Sequence, residues 1–414
     1  MNIRTTATSA ENKRALAELL IYRELRQKPL FQALSRLLEN PRDNYYEFFA
    51  FLAQNAVRSA CILGDCWQDA FLHEVLSAEN LFTLSAESNV TAELKRAVRH
   101  DLIRLQQLFA QDFQLLAPAL PSWRGLVQAK SPATPFEKLM ATMAHCSDWP
   151  GELNSLRDFH QRYGAGVFCR YWAFKWEGKL TGIEKPDPIS LPQIVGLERQ
   201  KQALLANTKH FLSGLPANCA LLHGARGTGK SSLVKAVCSE LAPAGLHLLE
   251  VAKEELQTLP ELLAILGSQK TKFVIFIDDL SFEGQETSYK ALKSALEGGV
   301  QSRPGNILIY ATSNRRHLIT ESFTEREEIN GADTVEEKLS LSDRFGLNIT
   351  FPSPDQDDYL AIVRSLAASF PISSQELTRR ALEWERRASG RSGRLARQFV
   401  IALAGELGIK PDWL

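Results

Sequence analysis

The chain has 414 residues, 44% hydrophobic and 23% charged, with 48 basic residues balanced by 48 acidic ones. This length accommodates two or three domains with sizeable cores, and the composition is that of a soluble globular protein. A formal net charge of zero excludes whole-molecule attraction to nucleic acid or an anionic membrane surface, so any such binding must come from a local patch.

The six cysteines contain no CxxC pair, and the eight histidines show no HExxH spacing. Free thiols in a reducing compartment are expected. The opening stretch, MNIRTTATSAENKR, has no apolar core, and the longest apolar runs are strand-length. Neither a secretory leader nor a membrane span is expected, and the expected location is the cytoplasm.

Residues 11 to about 180 read as helices. Leu94, Val98, Leu102, Leu105 and Phe109 fall on one apolar helical face. The aromatic run Tyr45 to Phe51 reads as core, with a partner-binding surface as the alternative. A second aromatic run, Val167 to Trp176, interleaves Arg170 and Lys175. It reads as packing against the next domain, with base stacking as the alternative. No catalytic constellation is found here. Three prolines in the nine residues Glu184 to Pro192 read as an extended linker. The expected organisation is a mostly α-helical N-terminal domain (1–183), a linker (184–193), an α/β core (194–352) and a helical lid (353–414).

Ile194-Val195-Gly196 precedes an amphipathic helix expected over Glu198 to Leu212. The apolar run Ala220 to Leu222 then leads into Gly224-Ala225-Arg226-Gly227-Thr228-Gly229-Lys230-Ser231-Ser232, and helix-forming residues follow. This is GxxxxGK[ST] in a strand–loop–helix setting. Glycines let consecutive backbone N–H groups curl around phosphate oxygens where side chains would collide, and the helix opening at Lys230 directs its positive end at the same anion. Lys230 would reach the outer phosphates and Ser231 would offer its hydroxyl to Mg2+.

Strands are expected at Leu246–Val251, Phe273–Asp278, Ile307–Ala311 and Leu347–Phe351. Helices are expected at Leu256–Leu266, Tyr289–Leu296 and near Val335–Leu341. This alternation implies a parallel sheet covered on both faces, with ligand at the carboxyl ends of its strands. The strand Phe273 to Ile277 ends in Asp278 and Asp279. Beside a phosphate loop, Asp278 reads as the outer-sphere Mg2+ partner and Asp279 as the base that orients and deprotonates the attacking water. Glu283 is the second candidate base. Asn314, at the end of the next apolar strand, reads either as a turn cap or as a hydrogen-bond donor to the γ-phosphate or the water.

In the last third, Tyr359, Ile362, Val363 and Leu366 form a helical face, and two further helices follow through Leu407. Seven arginines against two glutamates lie between Arg379 and Arg397. A solvated face is the expectation, with a nucleic-acid patch as the alternative.

The order of phosphate loop, Asp278-Asp279, Thr312-Ser313-Asn314, Ser342-Asp343-Arg344-Phe345-Gly346 and Gly393-Arg394 resembles the AAA+ P-loop ATPases over residues 190 to 405. The wording DDLSFE with LSDRFG is similar to an uncharacterised bacterial group of AAA+ ATP-binding proteins. The resemblance implies a Walker A motif at Gly224–Ser231, a Walker B motif at Asp278 and Asp279, and sensor 1 at Asn314. It also implies an arginine finger at Arg344, sensor 2 at Arg394, and an adenine border at Val195 and Gly196. ATP and Mg2+ are the implied cofactors, and a homo-oligomer sharing its sites is the implied assembly. Most members carry Glu where Asp279 stands, one methylene shorter, so slow hydrolysis is expected. Glu250 to Gln257 lacks the pore-loop aromatic of threading members, so processive pulling on a polypeptide is not expected. The expected function is ATP hydrolysis that switches or remodels a partner. The alternatives are a nucleotide-gated binding module without hydrolysis and a DNA-associated loader.

Overall fold

The structure, a computed structural model, describes residues 8–58, 61–85, 90–116, 122–187, 189–281, 286–297, 304–314, 341–388, 390–411 and 413. It divides into two compact units, Met1–Arg170 and Tyr171–Leu414. Among the described residues, no helix is long and apolar enough to cross a membrane.

The first unit is helical: α1 (Ser9–Ala17), α2 (Pro29–Glu39), α3 (Pro41–Arg58), α4 (Cys66–Leu76), α5 (Leu81–Leu84), α6 (Ala92–Phe109), α7 (Pro135–His145) and α8 (Leu153–Tyr163). Local chemistry sets the starts. Thr8, Asp65, Asn80, Thr91 and Thr134 each accept a first-turn N–H through the side chain, and Pro29 and Pro135 open their helices where no N–H donor is needed. Tyr45 and Phe48 are buried, with Phe48 packed on Trp67, Phe113 and Trp123, while Tyr46 is exposed. The aromatic run is therefore mainly core. On α6, Val98, Leu102, Leu105 and Phe109 are buried as their spacing requires. The same helix holds the fully buried Asp101, whose carboxylate accepts the backbone N–H groups of Leu20, Ile21 and Tyr22 at 2.7–3.1 Å. Those bonds fix the chain leaving α1 onto α6 and satisfy a charge that would be costly to bury alone.

The second unit is built on a seven-stranded sheet, ordered β2-β1-β4-β5-β6-β3-β7. Its strands are β1 (Ala173–Trp176), β2 (Leu180–Gly182), β3 (Ala220–Gly224), β4 (Leu246–Val251), β5 (Lys272–Ile277), β6 (Ile307–Ser313) and β7 (Leu347–Phe351). All neighbours are parallel except β1 with β2. Strands β5 and β6 are buried on both faces, as a parallel sheet covered by helices requires. Leu204 and Phe211 of α9 (Glu198–Leu212) join Leu233, Val234 and Val237 of α10 (Lys230–Leu241) against Leu222, Val274, Phe276 and Leu308. Helices α11 (Leu259–Gly267) and α12 (Glu286–Glu297) complete the α/β part. Helices α13 (Gln356–Leu366), α14 (Ser374–Arg386) and α15 (Gly393–Leu407) share a separate apolar cluster centred on Tyr359, Val363, Ala381, Phe399 and Leu403. The result is an α/β unit in which a mostly parallel seven-stranded sheet, flanked by helices, is followed by a separate helical cluster.

Two expectations are corrected. The boundary falls at Arg170, not within 184–193, because Ala173–Trp176 pairs in parallel with Leu248–Val251 and so belongs to the sheet. The helix expected from Leu256 begins as an α-helix only at Leu259. Pro260 suits a first turn but not a helix interior, and Lys253–Thr258 forms a 3₁₀ turn instead. The helix expected near Val335–Leu341 lies outside the described residues apart from its last position.

His160 of α8 is buried, donates from Nδ1 to the Gly164 carbonyl at 2.9 Å, and has its pKa pulled down to about 4 by burial. A folded pKa below the usual value near 6.5 means that the unfolded chain binds the proton more readily. The stabilisation is therefore complete above about pH 6.5 and fades as pH falls toward 4, by about 3 kcal/mol in all. Amide hydrogen exchange of α8 should show opening free energies that fall between pH 7 and 5. His160→Gln should flatten that dependence, and an equal slope in the variant would contradict it.

Candidate active site

Three strand ends and one helix start converge at the carboxyl edge of the sheet. Strand β3 runs into the loop Ala225–Gly229, which gives way to α10 at Lys230. Gly224 (φ 146°), Gly227 (φ 76°) and Gly229 (φ 93°) all lie where side chains are disfavoured. A Cβ on Gly224 would sit 2.1 Å from the Phe351 carbonyl oxygen, and one on Gly227 would sit 2.9 Å from Cβ of Ser392. The Gly227 carbonyl accepts the backbone N–H of Gly393 at 3.0 Å, so the start of α15 is fastened to the loop.

The side chain of Lys230 is buried, and its ammonium donates to the carbonyls of Gly224 (2.8 Å) and Ala225 (2.7 Å) and to Oδ1 of Asn314 (3.2 Å). Burial pulls its pKa down, while the charges of Asp278 and Asp279 act in the opposite direction. At the end of β5, Oδ1 of Asp278 accepts the Ser231 hydroxyl at 2.6 Å, the Thr312 hydroxyl at 2.5 Å and the backbone N–H of Asp279 at 3.1 Å. Thr312 bridges the two aspartates, since its oxygen also accepts from Asp279 N at 2.9 Å. Asp279 is the one non-glycine residue with positive φ (51°) among those described. That uncommon conformation at a strand tip is held by the Thr312 contact and by Asn314, whose Nδ2 donates to Oδ1 of Asp279. The guanidinium of Arg226 stands 4.0 Å from the other carboxylate oxygen. Lys230, Asn314 and Asp279 thus form one hydrogen-bonded chain.

These groups line a cavity of about 710 Å³, within the range of small-molecule sites. Arg226 to Ser232, Asp278, Asp279, Asn314, Arg394, Val195 and Gly196 all face it. Gly224 and Ala225 do not line it; they lie behind the loop, where their carbonyls hold Lys230. Arg344 is likewise not among the lining residues. Glu283 lies outside the described residues. The cavity also takes in residues that sequence reasoning passed over: Thr312 from β6, Lys235 from α10, Asp187, Ile189 and Gln193 from the supposed linker, and Ile362, Leu366, Arg397 and Trp413 beyond the sheet. Lys235 carried an available signal, since it lies one helical turn after Ser231 on α10.

The donor set suits a metal–triphosphate complex. Ser231 Oγ and the Asp278 carboxylate are hard oxygen donors of the kind Mg2+ takes. Five basic side chains, Arg226, Lys230, Lys235, Arg394 and Arg397, line the space. The arginine-rich run is largely accounted for without nucleic acid. Arg379 pairs with Glu376 and Glu383, Arg380 with Glu406 and Arg391 with Glu385, while Arg394 and Arg397 face the cavity.

A family model described as "Protein of unknown function (DUF815)" matches residues 169–407. A 26S proteasome regulatory subunit homolog of Methanothermobacter thermautotrophicus is 27% identical over 193 residues, which is 40% of this chain and 51% of that protein. The chain therefore spans about half the length of the curated relative it matches. Solved structures of RuvB from Thermotoga maritima overlap weakly. A single-site variant is 19% identical with a TM-score of 0.34, covering 52% of this chain and 72% of its own. The structure described as a Holliday junction branch migration motor is 17% identical with a TM-score of 0.32, covering 55% and 87%.

The close approach of Gly224 to Phe351 predicts a steep dependence on side-chain size. Gly224→Ala should lower stability by about 3 kcal/mol through overlap with the β7 backbone. Gly214→Ala, also at positive φ (74°) but with open space around it, should cost only about 1 kcal/mol. Thermal melting of the two variants measures the difference, and equal losses would contradict it.

Proposed function

The chain belongs to the DUF815 family of proteins of unknown function, and we propose that it is an AAA+ ATPase. In this reading it binds Mg·ATP in the cavity and hydrolyses it slowly to switch or remodel a protein partner. The observation that carries the proposal is the pair of carboxylates at the tip of β5. One is bonded to the phosphate-loop serine, and the other is held through Asn314 to the phosphate-loop lysine.

The backbone N–H groups of the loop and the Lys230 ammonium bind the phosphates. Ser231 and Asp278 hold Mg2+, which when bound neutralises charge on the phosphate oxygens. Asp279 takes the proton of the attacking water as the new bond to the γ-phosphorus forms and the bond to the ADP oxygen breaks. Asn314 keeps that carboxylate aimed. Arg394, in the first turn of α15, meets charge developing on the γ-phosphoryl oxygens. The position of Arg344 outside the cavity lining supports its use on the nucleotide of a neighbouring copy in a homo-oligomer. The exposure of Asp279, 60% of its side chain, supports slow turnover. It also favours a second reading, a nucleotide-gated binding module with negligible hydrolysis.

Steady-state phosphate release tests both readings. Lys230→Ala should lower kcat/KM by about a thousandfold, and Asp279→Asn should lower kcat by about a hundredfold. Unchanged turnover in Asp279→Asn would remove the assigned base. ATP binding with no turnover in the wild type would leave the gated module. Mixing Arg344→Ala with Lys230→Ala protein should restore activity that neither has alone, because a mixed interface pairs an intact loop with an intact arginine. Failure in every mixing ratio would contradict sharing.

A further inference from the structure

The cavity has a polar side, where the phosphate loop and strand tips lie, and an apolar side. The apolar side draws on Ile194 and Leu197 before α9, on Ile362 and Leu366 one turn apart on α13, and on Trp413 beyond α15. Trp413 is held by three independent contacts. Its Nε1 donates to the Leu366 carbonyl at 3.0 Å, its ring lies 5.2 Å from the guanidinium carbon of Arg397, and it packs on the apolar cluster of α13–α15. Arg397 itself lines the cavity one turn after Arg394. A fixed aromatic ring with a guanidinium over its face is a flat surface, apolar on one side and cationic on the other.

We propose that Trp413, backed by Arg397, is the wall of this site on which the base of a bound nucleotide stacks. The assignment rests on the nucleotide reading of the cavity given above. Aliphatic side chains alone enclose a base without ordering it, whereas an aromatic face supplies stacking to the π-surface of a base. Because Trp413 is carried by the segment following α15, and α15 is fastened to the loop through Gly393 and Gly227, base and phosphates are read by parts of one connected element. Trp413 is a base-binding residue here, with no part in bond making or breaking.

The experiment is calorimetric binding of ADP and of inorganic tripolyphosphate to the full chain, beside tryptophan emission, for wild type, Trp413→Ala and Trp413→Phe. Wild type should bind both ligands, and ADP alone should change the emission. Trp413→Ala should weaken ADP about tenfold or more while leaving tripolyphosphate unchanged. Trp413→Phe should recover most of the ADP affinity and lose the emission change. Equal ADP affinity in wild type and Trp413→Ala overturns the proposal. So does equal weakening of both ligands, which marks a purely structural tryptophan. Wild type that binds neither ligand overturns the nucleotide reading itself; wild type that binds tripolyphosphate but not ADP overturns only the base wall.

Discussion

A buried ammonium group, that of Lys230, is surrounded by the carbonyls of its own loop and by the amide of Asn314. A cation taken out of water must be compensated by oxygens, and here the compensation is local, two of the three acceptors lying five and six residues upstream. The loop can supply them only because it turns sharply at glycines whose backbone angles exclude most other residues. That one geometric requirement fixes the position of the charge.

The sheet order gives that loop its neighbours. Strand β3 lies between β6 and β7, and β5 lies beside β6, so the tips of β5 and β6 deliver Asp278, Asp279, Thr312 and Asn314 to the loop. Thr312 is the hinge of the arrangement. It donates to one aspartate and accepts from the backbone of the next, which holds Asp279 in its left-handed conformation. The helices beyond β7 close the other side through the bond from Gly393 to Gly227. Loop, carboxylates and closing helices are linked by hydrogen bonds rather than by proximity alone.

Much of this was legible in the residues. A loop of this kind depends on closely spaced glycines and a lysine, and β5 and β6 are apolar runs ended by polar residues, so local pattern is enough. The carboxylates and Asn314 are found because strand ends are visible as changes of polarity. The hairpin β1–β2 was missed because its strand is four residues long and sits in an aromatic run that reads equally well as helix; only pairing with β4 defines it. Thr312 was quoted within its strand but given no role, since nothing local distinguishes a threonine in an apolar strand as a bridge between two aspartates. Trp413 depends on the chain folding back onto α13, a contact 47 residues apart in sequence that no periodicity reports.

The account stands or falls on whether the loop around Lys230 grips a triphosphate. Isothermal titration of the full chain with Mg·ATP, wild type against Lys230→Ala, measures that directly. The account predicts saturable heat in the wild type and its loss, or a fall in affinity of about a hundredfold, in the variant. Identical heats in both proteins, or none in the wild type, would contradict it.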